Sequence, residues 1–353
     1  MRDGTDFPVP DLPHGAVVTV VHGAWGTSID EEDTRAQARA VAESLMRLGF
    51  RAPVIALGPG LEELKQVRAS QPEVIFNLVE GLGGLGRRAH EAALRLEEIG
   101  VPLTGVSGAI QEIVNSKCGC KDALQAMGLP TPSWTLTGTG ITGDDRWIIK
   151  PIWEHGSLEM DERSVVAGSE VAEALAERAL RSSHAHFAER YVAGREFNVS
   201  IVEGPSGGEV FPPVEMLFVD YPDHALRIVD YAAKWDSSSF GFHHTPRRFD
   251  FPERDRSLLE HLTRLSLEVW QRFRMEGYVR VDFRVDETNQ PWILEVNANP
   301  CISRDAGFVV TILNSGISYD QLTLRLVQAA LNKNQGIKGA RDFPHTIGVH
   351  LKV

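Results

Sequence analysis

One segment near the C-terminus limits the possible folds of this chain more than any other. Residues 277–300 read GYVRVDFRVDETNQPWILEVNANP, and apolar and polar residues alternate both in 278–286 and in 292–299. Two alternating runs joined by polar turn residues predict a β-hairpin. Because every second side chain of a strand points to the same face, polar side chains of both strands collect on one side of this hairpin.

A two-residue turn at Thr288-Asn289 would fix the register of the hairpin. The pairs that it predicts across the two strands are Asp286 with Pro291, Asp282 with Glu295, and Arg280 with Asn297. Directly opposed side chains lie roughly 5 Å apart. Two carboxylates, an amide oxygen and a guanidinium therefore meet at one place.

Such a group of side chains predicts a site for Mg²⁺ and a polyphosphate. Opposed carboxylates repel each other unless a cation joins them, and Mg²⁺ takes oxygen ligands while leaving room for substrate phosphates. The predicted metal ligands are Asp282, Glu295 and Asn297, with Arg280 beside them. The alternative is a merely solvated face with apolar residues packed behind it. Those residues are Val279, Val281, Phe283, Leu294 and Val296.

Length, charge and cysteine content exclude several classes of protein. The 353 residues can bury a large core and predict two or three domains. The net charge of −12 argues against nucleic acid and anionic membranes as partners. Neither a signal peptide nor a membrane span is predicted. The three cysteines, Cys118, Cys120 and Cys301, make no disulfide framework, so we expect a protein of the reducing cytoplasm.

The N-terminal third predicts a small α/β domain. Strands are expected at 16–22, 52–57 and 73–79, and helices at 31–48, 61–67 and 90–99. Strands that alternate with helices indicate a parallel sheet. In a dinucleotide site, an acidic residue lies at the end of the strand that follows the glycine-rich loop, and no such residue follows the loop 81–86. A nicotinamide or flavin site is therefore the weaker alternative. We expect its backbone amides to approach a substrate carboxylate instead.

The remaining segments are less regular. Further helices are predicted at 111–127, 165–181, 256–275 and 319–331. A strand at 147–151 carries Lys150, and residues 186–192 lead into a strand pair through Gly194. Residues 230–252 predict a long functional loop. Residues 332–353 predict a polar linker whose short apolar end docks as an extra strand.

Four charged residues outside the hairpin suit a nucleotide. Lys117 lies on the predicted helix 111–127, and Lys150 lies at the end of the predicted strand 147–151. Their ammonium groups can neutralise phosphate oxygens. Glu189 and Glu196 can accept hydrogen bonds from ribose hydroxyls or an adenine amine.

The order of these pieces resembles that of the ATP-grasp carboxylate–amine ligases, and among them the D-alanine–D-alanine ligase-like family. The resemblance spans roughly residues 16–330 and rests on motifs in combination. They are VIFNLVEG at 74–81, LEEIGVPLTG at 96–105, KDALQAMGLPTP at 121–132, IIKP at 148–151, ERYVAGREFNV at 189–199, DYAAKW at 230–235, RVDFRVD at 280–286 and LEVNANP at 294–300.

This resemblance implies an α/β (α+β) fold of the ATP-grasp type. It implies a Rossmann-like domain over 1–112, a central subdomain over 113–198, and a C-terminal subdomain with the metal site over 199–353. ATP would be clamped between the antiparallel sheets of the last two. The implied cofactors are ATP and Mg²⁺, with two ions expected and Mn²⁺ as a substitute. Ligases of this kind are commonly dimers, so a homodimer is compatible with the resemblance.

The resemblance also assigns roles to single residues. Lys117 and Lys150 would contact the ATP phosphates, and Lys234 would reach the γ-phosphate. The residues implied in adenine and ribose binding are Glu189, Tyr191, Val192 and Glu196. Ser157 would close over the phosphates, and Arg280 would stabilise the oxyanion of a tetrahedral intermediate. Asp282, Glu295 and Asn297 would hold the metal.

The implied reaction is a two-step acyl transfer. A carboxylate attacks the γ-phosphate of ATP to give ADP and an acyl phosphate, and an amine then displaces phosphate. The alternatives are D-alanine–D-alanine ligation proper, a nucleotide-binding regulator without catalysis, and a kinase-like phosphotransferase.

Several positions depart from the family pattern where substrates would bind. The phosphate loop 154–160 reads EHGSLEM. Trp235 replaces a tyrosine and cannot accept a hydrogen bond. The usual serine–tyrosine contact between loops is therefore expected to be lost. A histidine is replaced by Glu80, and the serine that would hold a terminal carboxylate falls at Ala306. We therefore expect small amino-acid-like substrates other than two D-alanines. The predicted substrate contacts are Glu31 or Glu32, Glu80, Trp235, Cys301 and Ser303.

Overall fold

The computed structural model of the chain describes residues 12–24, 29–222 and 225–336. The N-terminal elements are β1 (Val18–Gly23), α1 (Ile29–Arg47), β2 (Val54–Leu57), α2 (Leu64–Ala69), β3 (Val74–Leu78), α3 (Ala89–Glu97) and α4 (Gly108–Asn115). The three strands form a parallel sheet in the order β2-β1-β3. The predicted α/β arrangement of this region is confirmed.

A four-stranded antiparallel sheet follows. Its elements are α5 (Lys117–Ala126), β4 (Trp134–Thr135), β5 (Arg146–Pro151), β6 (Val165–Ala167), α6 (Val171–Arg181) and β7 (His186–Arg190), with strand order β4-β7-β5-β6. The predicted helix at 165–181 is wrong in its first turn. The β-branched residues Val165 and Val166 are extended and pair with β5, as their side chains favour, and the helix begins only at Val171.

The predicted helix 111–127 is two helices, because the backbone is extended at Ser116 (φ −78°, ψ 112°). The Ser116 hydroxyl accepts a hydrogen bond from Gly119 N at 3.1 Å and caps the second helix. Lys117 is consequently the first residue of α5. The break turns this lysine toward the cleft described below.

The C-terminal region is built on a six-stranded antiparallel sheet. Its elements are β8 (Arg195–Gly204), β9 (Gly207–Val210), β10 (Val214–Met216), α7 (Tyr231–Trp235), α8 (Phe240–His244), β11 (Arg247–Arg248), α9 (Arg256–Arg272), β12 (Tyr278–Val285), β13 (Pro291–Asn297), α10 (Gly307–Asn314) and α11 (Tyr319–Gly336). The strand order is β11-β10-β8-β12-β13, and β9 pairs with β8. The combination of one parallel and two antiparallel sheets confirms the predicted fold class.

Two predictions for this region need correction. Strands β7 and β8 do not pair, since they belong to different sheets. Gly194 in the connection has φ +136°, and a Cβ there would lie 2.1 Å from Val285 O, so only glycine lets the chain pass β12 this closely. The segment 230–252 is also not simply a loop, because it contains α7, α8 and β11.

The β12–β13 hairpin keeps two of the three predicted pairs. Asp282 lies opposite Glu295 and Arg280 opposite Asn297, but Val285, not Asp286, lies opposite Pro291. The turn is one residue longer than predicted, with Asp286 N bonded to Gln290 O at 3.1 Å and Asn289 at φ 63°. A β-bulge at Leu294 restores the register.

Because of the bulge, one residue that was predicted to be buried in the core is not buried. Val279, Val281, Phe283 and Val296 are fully buried, as expected of the apolar side of the hairpin. Leu294 is not among them, because the extra residue in β13 turns its side chain into the cleft. Ile293 is buried in its place, held by Pro130 O, which accepts from its N at 2.8 Å.

Two apolar cores fix the C-terminal sheet. One packs Leu262 and Val269 of α9 against Val281 and Phe283 of β12. The other joins the parallel sheet to α10 and α11 through Phe76, Phe308 and Leu326, among others. The N-terminal sheet is thereby held against the C-terminal one.

Some expectations lie beyond these observations. The domain boundaries remain a prediction, and α4 and β8 run across the expected divisions at 112/113 and 198/199. The proposed extra strand at the C-terminal end falls on 337–353, outside the described residues. Within the described part, no helix combines the length and apolar character that crossing a membrane would require.

Candidate active site

The polar face of the hairpin brings the predicted metal-site residues together. Arg280 donates from Nε and Nη2 to the two carboxylate oxygens of Asp282, both at 2.7 Å. Asn198 of β8 donates to the same carboxylate at 2.7 Å. Burial disfavours the charged guanidinium, but the attraction of Asp282 outweighs this and raises the pKa of Arg280. Arg280 is therefore a fixed, permanent cation at this face.

Glu295, opposite Asp282, is held by a lysine from another element. Lys117 Nζ lies 3.8 Å from Glu295 Oε2 and donates to the Glu154 carbonyl at 2.5 Å. Burial would raise the pKa of Glu295, but the charge of Lys117 outweighs it, so the pKa is lowered and the carboxylate stays ionised. His155 Nδ1 lies 3.9 Å away from the same carboxylate. Burial, assisted by Lys117, lowers the pKa of His155 to about 4, so its imidazole is neutral at pH 7.

The donor set on this face fits Mg²⁺. Two carboxylates face each other, and the amide of Asn297 is oriented by a hydrogen bond from Asn299 N at 3.1 Å. Hard oxygen donors in an incomplete shell suit an ion that also binds phosphates. Among the described residues, no group of three or more His, Cys, Asp or Glu side chains is arranged so that it could hold a metal ion. A metal bound here would thus draw on Asn297 and on substrate oxygens as well.

Glu189 lies between two lysines instead of facing open space. It is 1% exposed and pairs with Lys150 and with Lys121. Burial would raise its pKa, but the two ammonium groups outweigh this and lower it. Glu189 therefore positions Lys150 at the wall of the cleft, and its contact with a nucleotide stays a prediction. Sequence reasoning missed Lys121, although it follows Lys117 by four residues on the same helix face.

Arg284 organises the connection between the two sheets, and sequence reasoning missed it too. Its side chain is 4% exposed. Its four acceptors are Arg227 O at 2.7 Å, Val192 O at 3.0 Å, Tyr191 Oη at 3.0 Å and Glu196 Oε2 at 3.3 Å. The predicted nucleotide residues Tyr191, Val192 and Glu196 are thus fixed by one guanidinium. Strand alternation was the available signal, because Arg280, Asp282 and Arg284 occupy every second position of β12.

Two loops are tied together over this part of the cleft. Ser157, at φ 62°, donates to Val229 O at 2.7 Å, and Trp235 Nε1 donates to Gly156 O at 3.1 Å. Ser157 and Trp235 thus bond to backbone oxygens and not to each other, and the indole joins the two loops through Gly156. Lys234 on α7 lines the cleft, and burial together with Arg280 lowers its pKa.

The cleft consists of two joined cavities. The first, of about 100 Å³, lies between the two antiparallel sheets and is lined by Lys117, Lys150, Glu189 and Leu294, among others. The second, of about 750 Å³, opens toward the N-terminal domain and α10. Both are lined by Lys234 and Asp282, which mark the junction. Small-molecule sites usually measure roughly 300–1,000 Å³, so the first cavity is smaller than this range and the second lies within it.

The second cavity gathers most of the predicted substrate residues. Glu80, Trp235, Cys301 and Ser303 all line it. Cys301 Sγ donates to Asp33 Oδ2 at 3.1 Å and lies 2.9 Å from Ser303 Oγ. Burial raises the pKa of Cys301 well above its usual value, and Glu80 and Asp33 add to the shift. The thiol therefore stays protonated and is no nucleophile.

Helix α1 presents Asp33 to the second cavity, and of the two expected residues Glu32 does not line it, whereas Glu31 is untested. Glu32 is exposed and does not line the cavity. The side chain of Glu31 is outside the described part. Asp33 lines the cavity instead, because neighbouring helical residues point in different directions.

The glycine loop contacts a carboxylate of the protein itself. Gly86 N donates to Glu154 Oε2 at 3.3 Å. Gly83 and Gly84 both have positive φ and turn the chain between Leu82 and Leu85. Binding of a substrate carboxylate by this loop stays a prediction.

Comparison with known proteins identifies relatives along most of the chain. A family model described as the C-terminus of D-alanine–D-alanine ligase matches residues 147–328. A D-alanine–D-alanine ligase of Halorhodospira halophila is 30% identical over 92% of this chain and 99% of its own length. An uncharacterized protein of Sinorhizobium fredii, y4sG, is 29% identical over 73% of this chain and 74% of its own length.

Solved structures share the fold. The D-alanine–D-alanine ligase of Bacillus anthracis complexed with ATP superposes with a TM-score of 0.70 at 18% identity, over 92% of this chain and 100% of the other. D-alanyl-alanine synthetase A of Vibrio cholerae gives a TM-score of 0.69 at 15% identity, over 91% and 99%.

Proposed function

Because this chain belongs to the D-alanine–D-alanine ligase family of ATP-grasp enzymes, we propose that it is an ATP-dependent, ADP-forming ligase that joins a carboxylate to an amine. The observation that carries this proposal is the meeting of two ion pairs across one hairpin. Arg280 with Asp282 faces Glu295 with Lys117, where the two cavities join. Acyl transfer by way of an acyl phosphate builds negative charge in its transition states, and fixed cations placed where the two cavities join would stabilise that charge.

In the first step, the carboxylate of one substrate attacks the γ-phosphorus of ATP. The bond to the bridging oxygen breaks, ADP leaves, and an acyl phosphate remains. Negative charge develops on the transferring phosphoryl group and on the leaving phosphate. Lys117, Lys150 and Lys234 line the cavity where this charge would develop. A Mg²⁺ ion held by Asp282, Glu295 and Asn297 would supply further neutralisation of the phosphates.

In the second step, the amine of the other substrate attacks the acyl carbon. A C–N bond forms, the C–O bond breaks, and inorganic phosphate leaves. The tetrahedral intermediate carries an oxyanion, which a preorganised guanidinium stabilises without reorganisation. Arg280 suits this role because two hydrogen bonds to Asp282 fix its orientation.

We propose that the substrates are small and amino-acid-like and differ from two D-alanines. The support is chemical: Glu80, Trp235, Cys301 and Ala306 line the second cavity at positions that depart from the family pattern. A pocket lined by different groups selects different substrates, whereas the phosphate-binding lysines are kept. D-alanine–D-alanine ligation proper is the alternative within the same machinery.

The test is incubation with ATP, Mg²⁺ and a panel of amino acids and small acids. ADP, AMP, phosphate and condensed products are followed by chromatography and mass spectrometry. The proposal predicts ADP and phosphate in equal amounts, formed only with an amine. AMP with pyrophosphate would contradict it, and D-alanyl-D-alanine as the main product would establish the alternative. Tight ATP binding without turnover would favour a regulator.

We also propose a cytoplasmic protein that assembles as a homodimer. The free state of Cys118, Cys120 and Cys301 supports a reducing compartment. Sedimentation at several concentrations would test the dimer.

A further inference from the structure

Two consecutive arginines on β11 face opposite sides of the sheet. In the pairing of β10 with β11, Glu215 lies opposite Arg248 and Met216 opposite Arg247. Successive side chains of a strand alternate between faces. Arg248 accordingly binds Glu215 at 2.5 Å, on the far side from the cleft. Arg247 and Met216 both line the second cavity.

Arg247 has no carboxylate within ion-pair distance in the described part of the chain. Its hydrogen-bond acceptor is a backbone oxygen, Asp305 O, at 3.3 Å. Burial lowers its pKa, the charge of Asp305 opposes this shift, and nearby Arg280 adds to it. Arg280 in the same cavity is already paired with Asp282, so the exposed guanidinium of Arg247 is the one that an anionic ligand there would neutralise.

The position of Arg247 indicates which anion. Its Nε would lie 3.5 Å from a Cβ placed on Gly307, the first residue of α10. The preceding residue is Ala306, where the family resemblance places a serine that holds a terminal carboxylate. Alanine has no donor for that purpose. The guanidinium of Arg247 reaches the same place from β11.

Apolar side chains line the same cavity as this guanidinium, among them Met216, Phe242, Phe249 and Val310. Phe242 is 44% exposed, and the cavity of about 750 Å³ is of the size that holds drug-like ligands. Burying apolar surface stabilises a complex by roughly 25 cal/mol per Å². The methyl side chain of alanine would bury only a small part of these apolar side chains.

We infer that Arg247 binds the carboxylate of the amine acceptor, and that this acceptor is an α-amino acid whose apolar side chain is larger than that of alanine. The inference rests on the proposed ligase function. It names the class of acceptor and makes Arg247 a specificity-determining residue, distinct from Arg280 at the reacting carbonyl.

The test compares free amino acids with their α-carboxamides as acceptors. Alanine, leucine, methionine and phenylalanine are used, in both enantiomers, and ADP formation gives kcat/KM. The wild type should prefer a large apolar free acid over its amide by about 10- to 100-fold, the usual worth of a charged hydrogen bond. Arg247→Met should lose this preference. We expect its kcat/KM to fall with the free acid and to equal that of the wild type with the amide.

Two controls separate specificity from stability. Arg254→Met removes an exposed cation close in sequence and should leave the preference intact. Arg247→Lys should restore part of it. Equal losses of Arg247→Met with acid and amide would overturn the inference, as would a wild type that prefers alanine.

Failure of the proposed function would look different. A wild type that forms no ADP with any acceptor would refute the ligase. Calorimetric titration of phenylalanine and leucine into protein loaded with a non-hydrolysable ATP analogue would then still test Arg247. Binding that is lost in Arg247→Met would support the inference, and no binding to the wild type would overturn it.

Discussion

The two halves of the cleft differ in how their charges are balanced. In the first cavity, where we propose that the nucleotide binds (the nucleotide half), Glu189 is paired with two lysines and Glu196 with Arg284, before any ligand arrives. In the second cavity, where we propose that the substrates bind (the substrate half), the hydrogen-bond acceptor of Arg247 within the described part of the chain is a backbone oxygen. The ion pairs of the nucleotide half hold their side chains in place for the proposed phosphoryl transfer. In the substrate half, the charge of Arg247 is left for a ligand to neutralise.

This difference would allow the fold to keep a reaction while its substrates change, as we propose for this chain. Lys117 and Lys150, which we propose bind phosphate, are paired with Glu295 and Glu189, so replacing either lysine disturbs its neighbours. Side chains of the second cavity can change with less effect on the rest of the molecule. Function therefore varies at the site while the scaffold stays the same.

The largest expected effect comes from breaking the balance in the nucleotide half. Glu189→Gln would leave the buried ammonium groups of Lys121 and Lys150 without their counter-ion. Removing one partner of a buried ion pair typically costs about 3–5 kcal/mol, so we expect a loss of this size in the free energy of unfolding, measured with urea. Glu98→Gln, at the exposed pair with Arg95, is the control and should cost less than about 1 kcal/mol. Equal effects would refute the difference between these sites.

The same pair predicts a pH dependence. The pKa of Glu189 is lower in the folded protein than in the unfolded chain, so its stabilisation is complete above the unfolded value of about 4.3. It is lost as the pH falls through the lower, folded value. The stability gap between wild type and Glu189→Gln should thus be constant from about pH 8 to 5 and shrink below about pH 4. Unfolding curves across this range would measure it, and a gap that widens with acid would contradict the assignment.

Next in size is the effect of Arg280 on the reaction itself. Arg280→Ala should lower kcat by about 10²–10³, the usual cost of losing an oxyanion donor, while the affinity for a non-hydrolysable ATP analogue changes by less than about tenfold. Arg284→Met on the same strand is the comparison. Because Arg284 fixes Val192 and Glu196, its loss should weaken nucleotide binding more than it slows the reaction. Equal losses of binding and rate in Arg280→Ala would contradict its role.

The smallest effect concerns the contact between the two loops. Trp235→Phe removes one neutral hydrogen bond to Gly156, worth about 0.5–1.5 kcal/mol. We expect KM for ATP to rise about 2- to 10-fold. Trp292→Phe, which removes an indole donor to Asp286 at the hairpin turn, should leave KM unchanged. An unaltered KM in Trp235→Phe would show that the loops close without this contact.

The hairpin shows how far sequence patterns could predict this site. Alternation identified both strands and the pairs Asp282 with Glu295 and Arg280 with Asn297, which the structure confirms. The turn was predicted one residue too short, and the bulge at Leu294 cancelled that error. Beside the bulge, Ile293 N donates a hydrogen bond to Pro130 O of a distant segment, a contact that no local pattern reveals.

The residues that sequence reasoning missed share a physical reason. Lys121, Arg284 and Asp33 act through partners on other elements. Spacing places a side chain on a face, but only the packing of elements decides what that face meets. The helix break at Ser116 is similar, because a serine inside a regular helical pattern acts as a cap only when the chain turns there.

The central claim is that a carboxylate is activated as an acyl phosphate in this cleft. The most direct measurement uses a substrate carboxylate labelled with ¹⁸O, ATP and Mg²⁺ with an accepted amine, and mass spectrometry of the phosphate released. We predict that one labelled oxygen is transferred to inorganic phosphate for each amide bond formed. Phosphate without label, or label found in AMP, would contradict it.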